Sequence, residues 1–112
     1  MVTTATGRQA ETAVADYLKA EGYKIVGQNW RTPRCEIDLI AKKNKAIYFI
    51  EVKYRVSDAQ GSGFSYITPA KLRQINFAAR VWLQQNNWSG DYSFLAAEVS
   101  GLDFKVTEII EL

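Results

Sequence analysis

Glu36-Ile37-Asp38-Leu39-Ile40-Ala41 and, beyond Lys42-Lys43-Asn44-Lys45, the stretch Ala46-Ile47-Tyr48-Phe49-Ile50-Glu51-Val52-Lys53-Tyr54-Arg55 decide how this chain folds. The first alternates polar and apolar residues at its start, and the second is the most strongly β-favouring segment of the sequence, so the two read as strands joined by a hairpin turn over residues 42–45. Four ionisable residues stand where a buried sheet would prefer apolar ones. Glu51 and Lys53, spaced i and i+2, share one face of the later strand, and Glu36 and Asp38 share one face of the earlier strand. The turn decides whether these groups meet. Pairing of Lys42 with Ile47 leaves Lys43 to Ala46 as the loop and sets Asp38 opposite Glu51 and Glu36 opposite Lys53. A two-residue loop shifts Asp38 to face Phe49, and a three-residue loop without a bulge sets it opposite Ile50 and breaks the convergence.

On the N-terminal side, Thr6 and Gln9 have the spacing of a capping box, and Ala10, Ala13, Val14, Tyr17 and Leu18 recur with helical period, which predicts a helix over about residues 7–20 stopped by Gly22. Tyr23 to Trp30 is apolar enough for a strand, broken by Thr32-Pro33-Arg34. On the C-terminal side, Val56 to Tyr66 reads as a mobile loop of about ten residues. Thr68-Pro69 then opens a second helix to about Asn86, with Leu72, Ile75, Ala79, Trp82 and Leu83 as its apolar stripe. Tyr92–Val99 and Phe104–Ile110 complete the series as strands. The order αβββαββ predicts an α/β fold, a mixed central sheet flanked by helices with an extra C-terminal strand. With 112 residues, 47% hydrophobic and 23% charged, residues 1–112 form one domain that buries enough surface to need neither disulfide nor structural metal.

Composition narrows the chemistry. The chain has no histidine, which removes histidine-based nucleases, the usual Ser-His-Asp triad and imidazole zinc sites. Its one cysteine, Cys35, reads as a small packed residue without a redox role. The net charge of +2 conceals an uneven distribution: residues 1–40 are neutral, residues 41–80 carry +6 and residues 81–112 carry −4. A basic block of that kind is either the footprint of a polyanion partner or a solvated face. The N-terminus has no signal-peptide pattern and no run of 18 apolar residues occurs, so the expectation is a cytoplasmic protein without a membrane partner.

Taking 100° per residue, Glu11 lies only about 20° from Leu18 around the first helix, at the edge of its apolar arc, and leans toward the sheet. Carboxylates converging with an ammonium at a partly buried point repel one another unless a cation joins them. Oxygen donors suit magnesium or manganese, and Asp38, Glu51 and a main-chain carbonyl such as that of Val52 are the candidate ligands. Lys53 would position the attacking water or neutralise charge developing on a phosphate. The plainer alternative is an ion-paired Glu51–Lys53 ladder on a solvated sheet face.

Gly7-Arg8-Gln9-Ala10-Glu11, Asn29-Trp30-Arg31, Glu36-Ile37-Asp38-Leu39-Ile40-Ala41, Phe49-Ile50-Glu51-Val52-Lys53-Tyr54-Arg55 and Ile67-Thr68-Pro69-Ala70-Lys71 resemble, in order, the motifs of the bacterial YraN family. That family is regarded as a group of predicted endonucleases of the restriction-endonuclease-like superfamily, related to archaeal Holliday junction resolvases. The resemblance implies an αβββαβ core, Asp38, Glu51 and Lys53 as an Asp…Glu-x-Lys catalytic set, Glu11 as the helix-borne acidic residue, and metal-dependent phosphodiester hydrolysis. Cys35 stands where the family usually has glycine, and Tyr92-Ser93-Phe94-Leu95 lacks the Arg-Phe-Asp pattern of many members.

The function expected from these readings is a magnesium- or manganese-dependent DNA endonuclease, with branched or damaged DNA among its candidate substrates and RNA left open. Glu11, Asp38 and Glu51 hold the ion, while Lys71, Arg73, Arg55 and Arg8 contact the nucleic-acid backbone. Lys71 gains from lying near a helix N-terminus. The alternative is a non-catalytic nucleic-acid-binding module of the same fold. Resolvase-like relatives act as dimers, which suggests a homodimer by analogy of fold. Gly61-Ser62-Gly63 lacks the Gly-Lys-Ser/Thr of a phosphate loop, and Trp82 and Trp88 read as core residues rather than stacking platforms.

Overall fold

Helix α1 (Thr4–Ala20) buries Ala10, Val14, Ala15 and Leu18 along one stripe and ends in a Schellman turn. Gly22, at φ +94°, donates to the Lys19 carbonyl, and Tyr23 donates to that of Leu18. A left-handed residue is required there, which is why glycine ends the helix. The computed structural model describes residues 4–56, 64 and 66–112. Most of the loop expected between Val56 and Tyr66, with Gly61-Ser62-Gly63, lies outside the described residues. Because α1 already includes Thr4, Thr6 sits within the first turn instead of capping it.

Strands β1 (Lys24–Arg31), β2 (Glu36–Lys43), β3 (Ala46–Arg55), β4 (Asp91–Ser100) and β5 (Lys105–Glu111) form one sheet in the order β1-β2-β3-β4-β5. All neighbours are antiparallel except β3 and β4, which run parallel and are joined through α2 (Pro69–Gln85). The αβββαβ core and the additional C-terminal strand are therefore both present. Thr68 caps α2, its Oγ1 accepting from the Lys71 amide at 3.1 Å, and Pro69 takes the first turn, where its missing N–H is no loss. Asn87, at φ 50°, closes the far end in the same turn as Gly22 does for α1: Asn87 donates to Gln84 and Trp88 to Leu83.

The helices cover opposite faces. On the α1 side, Leu39, Ala41, Ile50, Leu95, Ala97 and Val99 pack against Val14 and Leu18. On the α2 side, Ile37, Ile40, Ile47 and Phe49 pack against Ala78, Ala79, Trp82 and Leu83, with Trp88 and Cys35 at the margin. Phe49 meets Trp82 edge-on at 5.8 Å and stacks on Phe94 at 5.6 Å. The turn between β2 and β3 is tighter than the four residues expected. Lys42 pairs with Ile47, but Lys43 also pairs with Ala46, leaving Asn44-Lys45 as the turn with Asn44 at φ 56°. The register is nonetheless the one that directs Asp38 toward Glu51.

Candidate active site

The hairpin opens at its far end. Backbone pairing of β2 with β3 runs from Lys43↔Ala46 to Leu39↔Ile50 and stops there, whereas β2 stays paired with β1 to Arg31↔Glu36 and β3 stays paired with β4 to Arg55↔Ser100. At the fork, the Asp38 side chain takes over from the ladder: its Oδ2 accepts from the Val52 amide at 2.8 Å. On the other side of Asp38, the β1 register sets Asn29 opposite, and Asn29 has the left-handed φ of 50° that asparagine tolerates. Strict alternation fails at the same point, since Ile37 joins the α2-side core with Ile40 instead of following Leu39 to the α1 side. The parting of β2 from β3 thus opens the cleft.

The cleft has a volume of about 440 Å³ and is lined by Gly7, Ala10 and Glu11 of α1, Asp38 of β2, Glu51 to Tyr54 of β3, Tyr66, and Lys71 of α2. The carboxylates of Glu11, Glu36 and Asp38 bring oxygen atoms within 4.8 Å of one another. Glu51 occupies the same cleft and pairs with Lys71 at 3.2 Å. Lys53 is exposed, its Nζ 5.5 Å from the Tyr66 ring.

Electrostatics follow from burial first and crowding second. Glu11 is raised to about 7 by burial and by the Asp38 charge, against the pull of its Asn29 hydrogen bond. Asp38 is also raised to about 7, by burial and then by Glu51, against the Val52 amide. Burial lifts Glu51 as well, and Lys71 opposes it. Burial lowers Lys71, but the charge and hydrogen bond of Glu51 outweigh it and hold the ammonium above its ordinary value. Burial raises the Tyr66 phenol, whose hydroxyl has no hydrogen-bond partner.

The donor set fits a hard divalent cation. Oε1 of Glu11 is buried without a hydrogen-bond partner, the neighbouring groups are carboxylates, and burial first and neighbouring negative charge second raise the pKa values of Glu11 and Asp38, both of which a cation would offset.

Of the residues singled out from sequence, Glu11, Asp38, Glu51, Val52, Lys53 and Lys71 line one cleft. Arg8 and Arg73 are exposed elsewhere. Arg55, expected to contact phosphate, is instead buried in the sheet and paired with Glu98 at 3.1 Å, because its strand lies beside the parallel β4 that carries Glu98. The basic block is also dispersed. Lys42 lies over Trp88 and Lys43 bonds the Glu21 carbonyl at the turn end of the hairpin, roughly 16 Å along β2 from Asp38. Glu36, singled out with Asp38 by their i, i+2 spacing, joins the carboxylates. Two further residues join the site that spacing does not single out: Asn29, legible as a poor strand former inside a strand, and Tyr66, which carries no sequence signal.

Helices on both faces of a five-stranded mixed sheet, with acidic side chains and two lysines gathered where the central hairpin splits, define the chain as an αβββαβ domain with a carboxylate cleft. Its sequence places it more closely: the chain belongs to the uncharacterised protein family UPF0102, the YraN family, whose model matches residues 10–106. It is similar to a UPF0102 protein of Vibrio campbellii, 40% identical over 102 residues that cover 87% of this chain and 84% of that one. A UPF0102 protein of Vibrio parahaemolyticus is 41% identical over 101 residues, with 87% and 84% covered. One of Chlorobium phaeobacteroides is 46% identical over 77 residues, covering 69% of this chain and 61% of its own. Among the described residues, no helix is long and apolar enough to cross a membrane.

Proposed function

We propose that this chain is a magnesium- or manganese-dependent endonuclease that hydrolyses phosphodiester bonds in DNA, branched or damaged DNA being the substrate that its resolvase-like motifs favour. One observation carries the reading: Glu11 presents a buried, unpartnered carboxylate oxygen beside Asp38 and Glu36, in a cleft that also holds Glu51 and two lysines. Glu11 and Asp38 would hold the ion, with Glu51, Glu36 and the Val52 carbonyl as neighbouring oxygen donors. A bound ion of this kind polarises a phosphoryl oxygen and lowers the pKa of a coordinated water. Lys53, exposed at the cleft, is free to orient the attacking water or meet charge developing on the phosphate. Lys71 offers a second ammonium at the first turn of α2, where the helix dipole also favours an anion. A two-fold dimer would present two such clefts to a branched substrate.

Purified Asp38→Ala and Lys53→Ala should lose manganese-dependent cleavage while keeping native circular dichroism; undiminished cleavage by both would overturn the assignment. Calorimetry with manganese separates an enzyme from a binding module of the same fold, since Asp38→Ala should erase a measurable heat only if the cleft is a metal site. Junction, flap, single-stranded and RNA substrates assayed side by side identify the preferred one.

A further inference from the structure

Next to the carboxylate cleft runs a groove that the catalytic reading does not use. It lies between α2 and the β1–β2 turn and consists of two hollows of about 400 and 220 Å³ that share Phe77. Arg34, Cys35 and Arg73 line the first, and Trp30 and Arg31 line the second. Among the described residues, none that lines either hollow is acidic and three are arginines, of which Arg31 is paired with Glu36 at 3.2 Å. Phe77 is 47% exposed, a large aromatic ring standing in solvent between guanidinium groups.

The wall opposite α2 is rigid. Thr32 Oγ1 accepts from the amides of Arg34 and Cys35, and the Thr32 amide donates to the Cys35 carbonyl at 2.7 Å, so the turn bearing Arg31 and Arg34 is held in one conformation. The groove also lies beside the cleft: Cys35 adjoins Glu36 of the acidic group, Ala70 adjoins Lys71, and the charges of Lys71, Glu51 and Asp38 all reach the Cys35 thiol.

We infer that this groove binds a single-stranded segment of nucleic acid, with a base stacked on Phe77 and backbone phosphates held by Arg34 and Arg73. The inference rests on the nucleic-acid reading above for its partner and adds the strand state. Arg31 is paired with Glu36, but Arg34 and Arg73 make no ion pair among the described residues, and unneutralised guanidinium groups favour a polyanion over an ordinary protein surface. An exposed ring among them matches the stacking platforms of single-strand binders, because any unpaired base offers a π-face whereas paired bases are covered by their neighbours. Ribose and deoxyribose strands share this chemistry, so both sugars belong in the test.

Fluorescence anisotropy in EDTA, with labelled single strands of DNA and RNA about 16 nucleotides long and a DNA duplex of the same length, measures this without any cleavage. Phe77→Ala should weaken single-strand binding roughly 5- to 100-fold and leave duplex binding within about twofold, and Phe77→Tyr should restore it. Arg34→Gln and Arg73→Gln should weaken both forms and flatten the salt dependence of single-strand binding, each by roughly 0.7 in log–log slope. Phe77 is exposed, so these variants should keep the wild-type melting temperature. Single-strand affinity unchanged in Phe77→Ala, an equal loss on the duplex, or no single-strand binding by the wild type would overturn the inference. Asp38→Ala should bind as the wild type, so an inactive cleft and an empty groove give different results.

Discussion

The Val52 amide donates to Oδ2 of Asp38 at 2.8 Å, in the place where the β2–β3 ladder would have made its next backbone bond. A side chain has replaced a main-chain carbonyl, which lets the strands part without orphaning the amide. Asp38→Asn keeps an acceptor and should preserve this fork while abolishing manganese binding. Asp38→Ala removes the acceptor and should cost about 1–3 kcal/mol in urea denaturation.

Glu11 and Asp38 both lie near 7 in the folded protein, whereas carboxyl groups in an unfolded chain lie near 4. Between these values the folded state retains protons that the unfolded chain has released. Their contribution to stability is therefore complete below about pH 4 and lost as the pH rises through about 7, the reverse of a salt-bridged carboxylate. After allowance for screening at the open cleft, the Glu11→Gln, Asp38→Asn double variant should gain about 1–3 kcal/mol over the wild type at pH 8 and little at pH 4. Millimolar manganese should raise the wild-type melting temperature at pH 8 and leave that of the double variant unchanged.

Lys71 is the cation that opposes the rise burial imposes on the Glu51 carboxyl inside the cleft. Lys71→Met leaves a mostly buried carboxylate without its partner, and a loss of about 1–3 kcal/mol at neutral pH is expected, smaller than for a fully enclosed pair because Lys71 is one-third exposed. Adding Glu51→Gln should recover most of it, and a double-mutant cycle by urea denaturation measures the coupling.

Arg55 and Glu98 form a buried pair, reinforced by Thr107 Oγ1, which lies 3.2 Å from the Glu98 carboxylate. Arg55→Met should destabilise the sheet by about 3–5 kcal/mol through the carboxylate left behind. DNA affinity measured at a temperature where the variant is folded should be unchanged, in contrast to Arg73→Gln.

Much of the fold is legible because local rules and global packing agree. Thr68-Pro69 caps α2 as its spacing requires, Gly22 ends α1, and the β2–β3 hairpin needs no information beyond alternation and propensity. Its register can be read only conditionally, since the turn permits several, and the pairing of Lys42 with Ile47 is selected by the cores on both faces. Arg55 illustrates the limit. Its charge is visible in the chain, but whether it meets solvent or Glu98 depends on a parallel strand that begins 36 residues later.

Helical period, strand alternation and contiguous motifs are local properties, and from them alone come the elements, their order, the carboxylates Glu11, Asp38 and Glu51, and membership of UPF0102. The assembled sheet and helices are needed to bring Glu36 to Glu11 and Asp38, turn Lys71 to Glu51, bury Arg55 and leave Phe77 exposed among arginines. Those outcomes depend on which strands pair, where a ladder stops and which helix covers which face, contacts between residues that are distant along the chain and meet only when the whole sheet has formed.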